Sequence, residues 1–251
     1  MYAVDADKEN IRNMVFDREP EDWIELQMFV GRLFRECGFN TEISKVVELV
    51  RGKKEIDVYA QDVESEYESE ILIECKFWNK PINQEVVHSF RTVVNDYGAT
   101  SGFIVSKVGF QKGCIDAVNK TNIKLVTLKN LENRYFERWK KNLARKYRRY
   151  ADPLFPYWDF PGKRVADGGE IDSSKRNLIY QAYRPICELG PGDDFDSTFT
   201  KKFPITLPII NDNIEAVGYL TITTYREFFD YIDENKEKAL KHYKILYREV
   251  Y

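Results

Sequence analysis

Two carboxylates and one ammonium group stand in a pattern suited to hydrolysis of a phosphodiester. Asp57 lies in the run Lys54-Glu55-Ile56-Asp57-Val58, and Glu74 and Lys76 lie in the apolar run 71–78, ILIECKFW. Alternate side chains of a strand share a face, so Glu74 and Lys76 project to one side while Ile73 and Cys75 enter the opposite layer. If residues 54–61 and 71–78 pair as a hairpin, Asp57 comes beside Glu74 and the three charges converge. Paired carboxylates bind a hard divalent cation such as Mg²⁺, with Mn²⁺ as a substitute, and an adjacent lysine orients the attacking water or helps deprotonate it. An isolated Glu-X-Lys triplet is common by chance and is then an internal ion pair or a solvated edge. Here an upstream Asp after a turn and an apolar strand around the triplet favour a site.

The elements that would position these residues follow from periodicity. Pro20, Glu21 and Asp22 open a helix in which Trp23, Leu26, Phe29, Val30, Leu33, Phe34 and Cys37 recur at helical spacing until Gly38. Runs 39–47 and 54–61 read as strands around a turn at 51–53, and 71–78 reads as a buried central strand. Asp62, Glu64, Glu66, Glu68 and Glu70 fall on alternate positions and read as a solvated hairpin tip. After Pro81 comes a helix over 84–97, with Val87, Phe90, Val94 and Tyr97 on one face and Gly98 at its end. A strand over 102–107, a helix over 111–120 and a strand over 123–128 complete an αβββαβαβ order. This is an α/β core with a mixed central sheet.

Beyond residue 131 the pattern changes. A helix over 135–150 precedes a stretch at 152–169 rich in Pro, Gly and aromatics, and then come strand-like runs at 177–183, 203–210 and 216–224 and a terminal helix over 225–249. The expected organisation is a catalytic domain at 1–132, a basic connecting helix at 133–150 and a C-terminal α+β region of unknown fold at 151–251. Gly168-Gly169-Glu170-Ile171-Asp172 followed by residues 177–184 echoes the first hairpin, but Tyr183 stands where a lysine is needed, and coincidence is the simpler explanation.

Composition narrows the chemistry. The two histidines, His88 and His242, are too few for most histidine-dependent hydrolases, and the four cysteines show no CxxC spacing for zinc or redox work, so they read as small buried hydrophobes. No apolar run spans a bilayer and the N-terminus is too charged for a signal peptide, so a cytoplasmic protein is expected. The 251-residue chain carries a formal net charge of -3, yet residues 134–150 hold eight basic side chains against one glutamate. On a helix, Phe136, Trp139, Leu143, Tyr147 and Tyr150 form a packing stripe. Arg134, Arg138, Lys141, Arg145, Arg148 and Arg149 fan over the opposite face, either as solvated surface or, as favoured here, tracking phosphates without reading bases. Gln84, at a helix start, can meet phosphate or water, though a lone Gln there is commonly a cap.

With these residues in view, the sequence resembles the PD-(D/E)xK nuclease superfamily and, within it, Mrr-like restriction endonuclease catalytic domains. The resemblance rests on Glu25, KEIDV at 54–58, ILIECKFW at 71–78, the helix at 86–97, GFIVS at 102–106 and Gly109-Phe110, and covers about residues 15 to 130. It implies that Asp57 and Glu74 hold Mg²⁺, that Lys76 serves the attacking water and that Glu25 completes the acidic cluster. Many Mrr-like members carry Gln where this chain has Glu74, a departure toward the general superfamily pattern. The implied activity is a metal-dependent DNA endonuclease of restriction or defence type, acting as a homodimer so that two sites meet two strands. The alternatives are a catalytically silent nucleic-acid-binding or assembly module on the same fold, or a scaffold in which the triplet is structural.

Overall fold

The computed structural model describes residues 14–50, 52–66, 68–158, 171–189 and 200–248. These fall into two compact units, Met14–Trp139 and a second that includes Lys140–Tyr251.

The first unit begins with helix α1 (Trp23–Glu36), whose N-cap Asp22 accepts a hydrogen bond from Glu25 N. Strands β1 (Asn40–Leu49), β2 (Gly52–Gln61) and β3 (Glu70–Lys76) follow as an antiparallel meander. Helix α2 (Gln84–Tyr97) then crosses over to β4 (Ser101–Ser106), and α3 (Lys112–Ala117) to β5 (Ile123–Thr127), both strands joining in parallel. The five-stranded sheet has the order β1-β2-β3-β4-β5 and is mixed, as the sequence pattern predicts.

Each face of the sheet is covered. Val87, Phe90 and Val94 of α2 join Ile56, Tyr59, Leu72 and Ile104 in one buried cluster. The close approach requires Gly102, because a Cβ there would lie 2.7 Å from Val94 Cγ2 and 2.8 Å from Phe90. On the other face, Leu26, Val30, Leu33 and Phe34 of α1 are buried, and Phe34 and Tyr135 both pack on Phe103 of β4. Trp23, placed on the packing stripe by its spacing, is instead exposed at the first helical turn.

Helix α4 (Leu128–Ala151) starts earlier than the aromatic stripe suggests, directly at the end of β5. Within the first unit Trp139 is fully buried and donates to Glu36 Oε2 at 2.7 Å, so the compact unit runs through Trp139 rather than ending at residue 132. All four cysteines are buried and free, as expected from their scattered positions.

The second unit contains the rest of α4, a 3₁₀ turn (Asp152–Leu154) and α5 (Phe155–Trp158), then α6 (Ser173–Ala182), α7 (Arg184–Cys187), β6 (Ile205–Ile210), β7 (Ala216–Ile222) and α8 (Tyr225–Leu246). Residues 177–183, expected as a strand, belong mainly to α6. Asp172 caps the backbone of Ser174 and Lys175, and Ile179, Ala182 and Tyr183 are buried at helical spacing. The echo of the first hairpin is therefore not a second hairpin, and its glycines lie outside the described residues. Helix α8 opens with a capping box between Thr224 and Glu227, and its core face stacks Tyr243 on Tyr157. Among the described residues no helix is long and apolar enough to cross a membrane.

Candidate active site

The site forms where two strands part. Strand β2 pairs with β1 along its length but with β3 only from Gln61↔Glu70 to Val58↔Ile73. At the next position the backbone ladder gives way to a side chain: Asp57 Oδ2 accepts the N–H of Cys75 at 2.7 Å. The parallel register with β4, Glu74↔Ile104 and Lys76↔Ser106, keeps the end of β3 in place after β2 has left it. Glu74 and Lys76 share a strand face, and Lys76 Nζ donates to Glu74 Oε1. Asp57, Glu74 and Lys76 are thus brought together, with the Glu74 side chain 13% and the Lys76 side chain 20% exposed.

The local electrostatics leave room for a cation. Burial and the neighbouring Glu74 charge push the Asp57 pKa above its ordinary value, against the opposing pull of the Cys75 N–H, Lys76 and Lys54. Asp57 Oδ1 and Glu74 Oε2 have no hydrogen-bond partner among the described residues. Two crowded carboxylates, each with a spare oxygen, fit Mg²⁺, which binds through one or two carboxylates and keeps several waters. Among the described residues no group of three or more acidic, His or Cys side chains gathers at one point, so a cation here would have these two carboxylates as its side-chain donors.

Glu25 stands elsewhere in the bonding scheme. Its carboxylate accepts two hydrogen bonds from the Arg18 guanidinium, at 2.6 and 2.8 Å, and one from Glu21 N at 2.9 Å. This is the work of an acidic residue in a first helical turn, and Arg18 holds its pKa down to about 2. The expectation that Glu25 completes a metal cluster is corrected accordingly. Glu25→Gln is expected to leave cleavage near the parental rate, measured side by side with a Glu74 variant.

Gln84 opens α2 with Asn83 as the cap, and its amide lies 3.2 Å from His88 Nε2 and against Gly113, where a Cβ would approach Oε1 to 2.5 Å. The next residue, Glu85, lines a cavity of about 340 Å³ together with Glu74, Lys76, Lys54, Trp78 and Ser89. Lys54, Glu85 and Trp78 were not singled out as site residues from sequence. The signal for Lys54 was its place three residues before Asp57, while Glu85 is brought in only by the crossover of α2.

The basic helix is less uniform than its spacing suggests. Arg138 is half-buried: Nη2 donates to Asp62 Oδ1 at 2.8 Å, Nε donates to the Cys37 carbonyl at 2.9 Å, and the guanidinium lies 3.9 Å from the Phe39 ring centroid. It is a structural clamp rather than an outward phosphate contact, because α4 closes over α1 and the β2–β3 loop. Asp62 is correspondingly no part of a solvated tip, and neither is Glu70, which accepts the hydroxyls of Tyr59 and Tyr97. Arg134 is exposed, and Arg149 donates to the Tyr150 hydroxyl at 2.9 Å. Lys141, Arg145 and Arg148 fall in the part of α4 that belongs to the second unit.

Arg138→Ala is expected to cost about 2 kcal/mol in urea unfolding at neutral pH. Its hydrogen bond holds the Asp62 pKa below the ordinary value. The contribution is present above the unfolded aspartate pKa near ~3.9 and is lost as pH falls through the depressed folded value. Parent and variant should therefore converge in strongly acidic solution.

Residues 19–135 match the Mrr_cat family model, described as restriction endonuclease. The match covers a little under half of the chain. Solved structures similar to the chain include a protein of unknown function, AF1548, at 19% identity and a TM-score of 0.38, covering 69% of this chain and 90% of that one. The DNA modification-dependent restriction endonuclease AspBHI is 15% identical over 53% of this chain, with a TM-score of 0.37. The MspJI restriction endonuclease, solved with a 27-mer oligonucleotide, is 14% identical over 53% of this chain, with a TM-score of 0.31. The chain spans 34% of AspBHI and 30% of MspJI. No curated protein matches the sequence.

Proposed function

We propose that the chain is a Mg²⁺-dependent DNA endonuclease of the PD-(D/E)xK type, with Mn²⁺ as a substitute cation, acting in restriction or defence. The observation that carries this reading is the convergence of Asp57, Glu74 and Lys76 where β2 and β3 part, inside an Mrr-type domain.

Asp57 Oδ1 and Glu74 Oε2 are the oxygens that would hold the cation. When bound, it would neutralise charge on the scissile phosphate and acidify the attacking water. Lys76 Nζ, anchored on Glu74, has further N–H groups with which to orient that water and to stabilise charge developing on the phosphate. Lys54 lines the same cavity and adds a second ammonium for the phosphate. Arg134, Lys141, Arg145, Arg148 and Arg149 are the residues of α4 that would supply phosphate contacts independent of base sequence. One such site cuts one strand, so double-strand cleavage calls for a homodimer.

The test is cleavage of supercoiled plasmid with Mg²⁺ or Mn²⁺, with and without EDTA. Nicked or linear product that disappears with chelation is expected. Intact plasmid under both metals, or cleavage indifferent to EDTA, would refute the proposal.

A further inference from the structure

The cavity of about 340 Å³ beside Glu74 and Lys76 is larger than a cation and its waters need, and it has two kinds of wall. Lys54, Lys76, Glu74 and Glu85 bring two ammonium and two carboxylate groups to it, so their formal charges cancel. The rest is apolar. Val86, Phe90 and Val93 recur at helical spacing and form one stripe of α2, and Trp78 faces the same space. Phe90 is buried in the core, and Val86 and Val93 pack against that core, so the stripe is held in place.

Trp78 stands two residues past Lys76, and Lys76 Nζ lies 6.0 Å from its ring centroid. The side chain is 38% exposed. A large rigid ring left partly in water at the edge of a charged site forgoes burial that a bound ligand would supply.

The lining discriminates between the groups a nucleic acid could place there. A second backbone phosphate does not suit it, because Glu74 and Glu85 repel an anion and an apolar stripe cannot solvate one. A neutral planar ring with a hydrogen-bonding edge does. Its face can stack on Trp78, and its N–H groups can donate to Glu85 and Ser89, which lie one turn apart on α2. Next to a phosphate, the group of that description is the base of the adjoining nucleotide. In a continuous duplex that base is stacked and paired, and it reaches such a cavity only after being taken out of the helix, at least cost where it is already unpaired.

We infer that the cavity receives the unstacked base of a nucleotide flanking the scissile phosphate, with Trp78 as its stacking platform, so that the substrate is DNA unpaired at that point. The inference rests on the proposed cleavage reading for the position of the phosphate.

Fluorescence anisotropy with the full chain in EDTA tests the subsite without cleavage. The probes are three labelled DNAs of equal length: a mixed-sequence single strand, an abasic strand with the same phosphates, and the perfect duplex. The single strand is expected to bind about tenfold or more tightly than the abasic strand. Trp78→Ala should abolish that difference while leaving abasic and duplex affinities within twofold, and Trp78→Phe, which keeps a ring, should restore most of it. In Mg²⁺ the parent should cut the single strand at least tenfold faster than the duplex, and Trp78→Ala should lose this preference. Equal binding of abasic and base-bearing strands, or equal weakening of all three probes by Trp78→Ala, would overturn the inference. Equal cleavage of single strand and duplex by parent and variant alike would overturn it while leaving the nuclease reading intact. Base-dependent binding through Trp78 with no cleavage in Mg²⁺ or Mn²⁺ would instead support the base subsite and refute the nuclease reading.

Discussion

Glu74→Gln is expected to slow plasmid cleavage in Mg²⁺ by about a thousandfold or more with the fold intact. The amide keeps the shape of the side chain and an oxygen that can still accept from Lys76, so the local packing survives. What it removes is one of two charges proposed to hold the cation, and losing about 4 kcal/mol of transition-state stabilisation corresponds to that factor. Stability gives an independent check. Glu74 is a main cause, after burial, of the raised Asp57 pKa, so neutralising it relieves repulsion on that side while removing the charge opposite Lys76 on the other. The variant should stay folded in EDTA and should lose any stabilisation that Mg²⁺ gives the parent. A variant that cleaves at the parental rate would contradict the carboxylate mechanism.

Lys76→Ala should separate chemistry from cation binding. Lys76 is placed against Glu74 Oε1 while Glu74 Oε2 and Asp57 Oδ1 remain for the cation, so its removal should leave Mn²⁺ binding in place. Removing its positive charge from two carboxylates should, if anything, tighten that binding. Cleavage should nevertheless fall by roughly 10²- to 10⁴-fold, the range for loss of a positioned proton-handling or charge-stabilising group. Calorimetric titration of Mn²⁺ beside a cleavage time course reads both quantities. Loss of Mn²⁺ binding together with activity would show that Lys76 maintains the site itself.

The central sheet and the grouping of Asp57, Glu74 and Lys76 were legible in the sequence for the same reason. Strand periodicity puts Glu74 and Lys76 on one face, and a buried apolar strand makes two charges on it conspicuous. The order of elements in the first unit follows from apolar patterns ended by Gly38, Pro81 and Gly98, each of which has a local conformational cause. Glu25 misled because a carboxylate in a first helical turn looks the same whether it faces a cation or caps a helix. Arg18, seven residues away, decides between them, and its approach is not encoded in helical spacing.

Arg138 failed for a related reason. The 100° periodicity places it opposite the aromatic stripe, but α4 is contacted on two sides, and Asp62 from the β2–β3 loop comes to it across the fold. Residues 177–183 were misread because a short apolar run has no decisive period. The cap at Asp172 was the overlooked sign of a helix.

The most direct measurement of the central claim is anomalous scattering from a crystal of the full chain grown with Mn²⁺. A peak is expected between Asp57 and Glu74, with carboxylate oxygens from both at about 2.0–2.2 Å and Lys76 outside the coordination sphere. A peak bound to Glu25, or no peak at Asp57 and Glu74 under conditions that support cleavage, would contradict the account.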